Sequence, residues 1–516
     1  MKIFIKLFLC FIFLILLIKS SMEQGQILNK NFVLIQKDDS PGKIISKAAR
    51  IIPTNPQYNW QKNEFIAFLH FGINTFTNRE WGDGKENPGI FNPTNLNVEQ
   101  WIKTLKDAGV KLVILTAKHH DGFCLWQSKY TDHSIAGSPY KNGKGDIVKE
   151  FTDACRKFGL KAGIYLSPWD RNLPAYGDSP KYNEIFRNQL RELLTDYGEI
   201  SEVWFDGANG EGPSGKKQVY DWASYYKVVR ELQPNAVIFG MAPDVRWVGN
   251  ENGFARETEW SVVPFNINGL NEKNAAVRKY PIDQIYIPGD LTGVDLGSRE
   301  KILNAKGLMW YPAESDVSIR AGWFYHPEED DKVKTPQQLV NIYFNSVGRN
   351  SVLLLNVPPD KRGLINENDI KSLKGMKEII DKTFEKDLTK DAGIKTDMEL
   401  INPENNSGSY WINKNGKETA EMEFTLAKKA AFDVMMLQEE ILVGQRIEKF
   451  HFDYWTGDEW KKLTEGTTVG YKRLLRFPPV KTDRVRLVIE KSRLNPTISN
   501  FGLFKFAERN YSKSIE

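Results

Sequence analysis

"KLVILTAKHHDG" (residues 111–122) runs through apolar residues without a break and then stops at a lysine, two histidines and an aspartate. A strand with one wet face alternates polar and apolar residues. An unbroken apolar run is instead covered on both faces, as in a parallel sheet. The same design recurs in "FIAFLHFG" (65–72), "KAGIYLSPWD" (161–170), "EVWFDGANG" (202–210), "AVIFGMAPD" (236–244) and "SVLLLNVPP" (351–359). Between these runs lie amphipathic helical stretches: "NVEQWIKTLKDAG" (97–109), "DIVKEFTDACRKFG" (146–159), "YNEIFRNQLRELLTDYG" (182–198) and "QVYDWASYYKVVRELQ" (218–233). Several such units between Glu64 and Asn356 predict an α/β fold, a distorted (β/α)8 TIM-like barrel. A doubly wound sheet is the competing arrangement, but no glycine-rich dinucleotide fingerprint follows the first strand. The last units, between Gly289 and Tyr325, read as irregular.

Outward from the barrel the texture changes. After a charged helix ending near Glu385, "AEMEFTL" (420–426), "FDVMMLQEE" (432–440), "EKFHFDYW" (448–455) and "VRLVIEK" (485–491) read as separate short strands between turn residues. They predict a C-terminal β-sandwich that begins near Asp391 and closes near Phe506. At the other end, Lys2 and Lys6 precede an unbroken apolar run from Leu7 to Ile18. That run is short for a bilayer span and fits a secretory signal, an uncleaved anchor being the alternative. The expected organisation is a signal peptide over 1–24, a catalytic barrel over 25–385 and a sandwich over 386–516, in a secreted or periplasmic protein. With Cys10 inside the signal, Cys124 and Cys155 are expected as two buried thiols, or else as a single bridge. Asn405 and Asn510 open N-x-S sequons, acceptors only in a eukaryotic secretory route. Lys and Arg total 70 against 66 for Asp and Glu, a balance that gives no reason to expect nucleic acid or an acidic membrane as partner.

In a parallel barrel the residues just past each strand line one shared mouth. Read in order, they are His70; His119 and His120; Trp169 and Asp170; Trp204 and Asp206; then Asp244, Arg246, Trp247 and Glu251. Asp206 stands at the tip of an apolar strand, where an ionised group is costly unless paired or used. An aspartate before glycine can also simply cap a turn. Trp204, two residues earlier on the same face, offers a stacking platform and favours use. Glu251, in "DVRWVGNENG" (244–253), would otherwise be a solvated loop glutamate. Two such carboxyls suit glycoside hydrolysis, which needs an ionised group and a protonated one. A separation of about 5–5.5 Å retains anomeric configuration, and one of about 6.5–9.5 Å inverts it. Adjacent histidines are poor joint metal ligands because successive residues point apart. Neutral imidazoles do suit sugar hydroxyls, donating and accepting at once.

Taken together, "FLHFG", "AKHHDGF", "WFDGANG", "DVRWVGNE", "GWFYHPEED" (322–330) and "SVGRNSVLLLNVPPD" (346–360) resemble α-L-fucosidases of glycoside hydrolase family 29. More narrowly, they resemble the branch acting on α-1,3/4-linked fucose. The likeness spans roughly Asn55 to Asp369, and the sandwich matches the family's C-terminal domain. It implies a retaining double displacement on fucosylated glycans without metal or organic cofactor. Asp206 is then the nucleophile, and Glu251 the acid/base, to be preferred over Glu259 and Glu257. His70, His119 and His120 hold fucose hydroxyls. Glu80 and Trp81 of "NREWGDG" (78–84) contact the sugar, Trp204 stacks near the nucleophile, Trp323 lines the pocket, Phe71 or Trp323 walls the fucose methyl, and Arg246 orients or charge-balances the site. The other branch's sugar-binding tyrosine falls one position after Tyr165, on Leu166, so Tyr165 receives no role. A silent carbohydrate-binding protein and a metal-dependent hydrolase recruiting His70 with Asp206 are the competing functions.

Overall fold

The computed structural model describes residues 31–267, 282–287, 289–403, 408–413 and 415–507. The signal segment and the sequons at Asn405 and Asn510 lie outside the described residues. Eight strands build the catalytic sheet: β1 (Phe65–Leu69), β2 (Leu112–Lys118), β3 (Lys161–Leu166), β4 (Glu202–Trp204), β5 (Val237–Phe239), β6 (Arg246–Trp247), β7 (Ala313–Ser318) and β8 (Ser351–Asn356). Their order is β5-β4-β3-β2-β1-β8-β7-β6, parallel throughout. The two free ends meet through one parallel bridge, Phe239 to Val245. The sheet therefore closes into a barrel with a narrow seam.

Helices α1 (Val98–Asp107), α2 (Ile147–Phe158), α3 (Ser179–Thr195), α4 (Trp222–Leu232), α5 (Pro336–Ser346) and α6 (Glu367–Phe384) cover its outer face. Asn97, Asp146, Asp221 and Thr335 start four of them by accepting main-chain N–H groups of the first turn, donors that a helix start otherwise leaves bare. Strand alternation then sorts the side chains. Leu69, Val113, Leu115 and Val203 pack outward against helix residues such as Trp101 and Phe151. Ile66, Phe68, Ile114, Tyr165, Trp204, Phe239 and Leu354 fill the interior.

That interior also holds two fully buried glutamates. Trp60 Nε1 donates to Glu202 at 2.8 Å and Trp204 Nε1 donates to Glu314 at 2.9 Å. The two carboxyls act on each other electrostatically. Burial pushes Glu202 up to about 7. Burial pushes Glu314 well above the carboxylate range, and the charge of Glu202 adds to the effect.

The irregular part of the barrel opens before Gly289. No helix separates β5 from β6, because the short loop "GMAPD" (240–244) joins them directly. Gly240 sits at φ 94°, and a Cβ there would lie 2.2 Å from the Phe205 carbonyl oxygen. The chain then leaves the barrel after β6 and returns only at β7. In that excursion Val262–Ile267 and Gly307–Trp310 pair antiparallel, with Phe32–Leu34 added at the edge.

The C-terminal unit is a sandwich of a six-stranded and a three-stranded antiparallel sheet. Its core contains Phe424, Phe452, Leu487 and Ile498. The two runs expected as separate strands at 420–426 and 432–440 form one strand, Ala420–Gln438. Lys428 and Lys429 between them are exposed, and pairing with Arg473–Ser492 slips there instead of breaking. The sandwich packs Val434, Leu474 and Phe504 into the barrel's outer core. Leu474 N donates to the Gly348 carbonyl at 2.9 Å, and Asn350 N to that of Lys472 at 3.0 Å. Cys124 and Cys155 are both free and buried.

Candidate active site

Asp206 stands two residues past the end of β4 and does both things the sequence allowed. Its Oδ1 caps the turn, accepting from Ala208 N at 2.7 Å. Its Oδ2 faces the mouth, accepts the Tyr165 hydroxyl at 2.9 Å and lies 3.8 Å from His120 Nε2. The Tyr165 ring is stacked between His119 (5.7 Å between centroids, 15°) and Trp204 (5.2 Å, 26°). Trp204 in turn lies on Phe239 at 4.2 Å, so its indole supports Tyr165 from within the barrel.

The imidazoles surround this carboxylate from β1 and β2. Asn356 Nδ2 donates to the Trp323 carbonyl at 2.7 Å and to Ser318 Oγ at 2.9 Å, leaving Oδ1 as an acceptor 2.9 Å from His70 Nδ1. That contact assigns the proton to Nδ1 and the lone pair to Nε2. His120 Nδ1 lies 2.7 Å from Ser167 Oγ. His119 packs 4.1 Å from the His120 ring, and its Nδ1 is buried without a hydrogen-bond partner among the described residues. Burial pushes His70 down to about 3 and His119 well below its usual value. Burial also lowers His120, although the Asp206 charge works the other way. All three are thus neutral at neutral pH, able to donate and accept.

The facing wall comes from the excursion and from the segment after β7. Trp323 Nε1 donates to Glu251 Oε2 at 3.4 Å, and its ring lies 5.2 Å from His70. Glu80 fixes this tryptophan: its oxygens accept Trp323 N at 2.8 Å and Phe324 N at 3.1 Å, with His326 Nε2 at 2.6 Å. Trp81 is 57% exposed at the rim, its ring 5.8 Å from both His120 and Trp169. His70, Trp81, His119, His120, Asp206, Glu251 and Trp323 are therefore brought together. No group of three or more potential metal-ligating side chains stands together among the described residues.

Six of the residues considered for the site point elsewhere. Arg246 is fully buried in the wall, paired with Glu259 and donating to the Tyr311 carbonyl at 2.9 Å. A two-residue strand beside the excursion leaves it room to turn away from the mouth. Glu259 is fully buried and committed to Arg246 and to Arg256 at 3.3 Å. Asp244 holds Arg230 through both oxygens, at 2.7 and 2.8 Å. Asp170 pairs with the buried Lys118 at 3.0 Å. Phe71 packs on Phe91 and Trp101 beneath the mouth, so it walls no sugar. Glu257 faces the sandwich, where it pairs with Arg473 and, at 2.8 Å, with Arg349.

Sequence reasoning passed over Tyr165, Asn356 and Asp316. The last lies inside the barrel on β7, where Trp247 Nε1 donates to its Oδ1 at 2.8 Å. Its one signal is "AESDVS" (313–318), whose acidic alternation reads as a solvent-facing strand.

The family model described as Alpha-L-fucosidase matches residues 52–385, from the approach to β1 to the end of α6. The chain belongs to the α-L-fucosidase family. As a glycoside hydrolase of family 29, this fucosidase is 43% identical to α-L-fucosidase 1 of Arabidopsis thaliana over 90% of both chains. A solved structure from Bacteroides ovatus is 49% identical and superposes with a TM-score of 0.82, covering 94% of the fucosidase and 79% of that chain. A Ruminococcus gnavus GH29 fucosidase solved in complex with fucose is 33% identical, with a TM-score of 0.77 over 89% of the one chain and 95% of the other.

Proposed function

We propose that the enzyme is a retaining, exo-acting α-L-fucosidase that releases α-1,3/1,4-linked L-fucose from glycans by double displacement. The observation that carries this reading is the Asp206 carboxylate at the mouth, held by the Tyr165 hydroxyl at 2.9 Å below three neutral imidazoles. In the first step an Asp206 oxygen bonds to the fucose anomeric carbon as the glycosidic bond breaks, and Glu251 gives its proton to the leaving oxygen. In the second, Glu251 takes a proton from water, and the resulting hydroxide displaces Asp206 from that carbon. His70, His119 and His120 bind the fucose hydroxyls, and Trp81 and Trp323 supply the apolar walls. Trp204, expected beside the sugar, has both faces covered by Tyr165 and Phe239 and only supports the site from below. Glu80 serves by holding Trp323 in place. The N-terminal segment directs the enzyme out of the cytoplasm, and expression with and without residues 1–24 checks this by fractionation.

Two measurements test the reading. Proton NMR of the reaction start should show the α-anomer of fucose first, and first appearance of the β-anomer refutes retention. Lewis-type trisaccharides should be cleaved in preference to 2′-fucosyllactose, and equal rates refute the linkage assignment. Glu251→Ala should slow these oligosaccharides strongly and recover in part with azide. If Glu259→Ala shows that rescue instead, the acid/base role belongs to Glu259.

A further inference from the structure

We infer that Ser167 is a positioning residue for the nucleophile: it fixes the tautomer of His120, so that this imidazole offers a lone pair to fucose and places no hydrogen on Asp206. This rests on the reading of Asp206 as the nucleophile. Ser167 directly follows β3 and is fully buried. Its N–H donates to the Lys118 carbonyl at the end of β2 at 3.0 Å, and its Oγ donates to the Trp169 carbonyl at 2.7 Å. A carbonyl can only accept, so the one hydroxyl hydrogen of Ser167 lies on that contact. Toward His120 Nδ1, also at 2.7 Å, Ser167 Oγ therefore presents a lone pair, and Nδ1 must carry the hydrogen. Burial keeps this imidazole neutral. A neutral ring has one such hydrogen, which leaves Nε2 bare.

Nε2 faces the mouth, 3.8 Å from Asp206 Oδ2. A hydrogen on Nε2 would draw the two atoms to about 2.9 Å, whereas two acceptors stay apart. The His120 carbonyl accepts Arg171 N at 2.9 Å, and the ring packs on His119 at 4.1 Å and on Trp169 at 4.9 Å, so main chain and ring are both held. The other tautomer would act against the reaction twice. Nε2–H would bond to the Asp206 carboxylate and stabilise the very electron pair that has to reach the anomeric carbon. Tyr165 already donates to that oxygen. It would also take from fucose the acceptor at His120. Asn356 serves His70 in the same way: its Oδ1 accepts His70 N at 3.3 Å as well as Nδ1, which fixes the amide's orientation and leaves that Nε2 bare too.

The chain has six histidines, few enough for imidazole nitrogen NMR of the isotope-labelled enzyme, with His120 assigned by the signals lost in His120→Gln. At neutral pH the wild type should show His120 protonated on Nδ1, and Ser167→Ala should move that hydrogen largely to Nε2. His70 should keep its Nδ1 hydrogen in both and serves as the reference. With the tautomer switched, kcat for an aryl fucoside should fall roughly 10- to 100-fold. A wild-type His120 protonated on Nε2 overturns the proposal, whatever the variant does. So does a Ser167→Ala enzyme that keeps the wild-type tautomer, one that switches tautomer without losing rate, or one that fails to fold, which marks Ser167 as merely structural. Asp206→Ala separates the two readings: if it turns over the aryl fucoside normally, the nucleophile assignment itself has failed.

Discussion

Replacing Tyr165 by Phe removes one hydroxyl and keeps the ring that fills the space between His119 and Trp204. A hydrogen bond to an ionised group contributes about 1.5–3 kcal/mol, so kcat/KM should fall roughly 10- to 100-fold with the melting temperature nearly unchanged. Steady-state kinetics beside a melting curve checks both halves. Asp206→Ala removes the proposed attacking atom and should cost at least about a thousandfold in kcat, with the circular dichroism spectrum intact. The two residues were not equally legible. Asp206, His119 and His120 announce themselves by ending apolar strands, where a polar group needs a reason. Tyr165 ends nothing: it sits inside its strand, and its role exists only because β3 and β4 are neighbours. Arg246 shows the opposite error, since a charge at a strand tip can also turn into the wall and meet a partner supplied from far along the chain.

Strands β4 and β7 carry buried carboxyls into the barrel interior, and this has a stability consequence with a definite sign. Glu202 and Glu314 hold a proton in the fold that the unfolded chain has released above about pH 4.3. Their folded values are raised, so stability is fullest below that pH and is lost as pH rises through about 7. The urea midpoint of wild type should therefore drop between about pH 6 and about pH 8. Glu314→Gln, which can still accept from Trp204, should show a flatter profile. A second prediction concerns the wall beside β6. Glu259→Gln leaves Arg246 buried without its counter-charge and should cost about 3–5 kcal/mol, read by thermal unfolding. The barrel elements were legible because the middles of β1 to β3 are apolar on both faces. The β7 strand was not, since its acids line a buried interior, and the strand of 420–438 was split because its exposed lysines mimic a turn.

At the scale of the molecule, the sandwich completes the barrel more than it extends it. Val434, Leu474 and Phe504 are part of the barrel's own outer core, and Glu259 N and Ser261 N donate to Thr468 Oγ1 and Gln445 Oε1 of the sandwich. A chain ending at residue 385 should therefore express as insoluble protein, which a fractionated lysate will reveal. A soluble, folded barrel would show that the contact is dispensable. The seam between β5 and β6, with its one bridge, is where amide exchange should be fastest among the barrel strands. The same seam sets apart the two halves of the proposed chemistry. The carboxylate at the tip of β4 belongs to the rigid repeat, whereas Glu251 is borne by an excursion that the repeat does not need. Insertions or deletions there can relocate the proton donor while the fucose cradle stays intact. Descendants of one scaffold are thereby free to diverge in which aglycone they expel without relearning which sugar they hold.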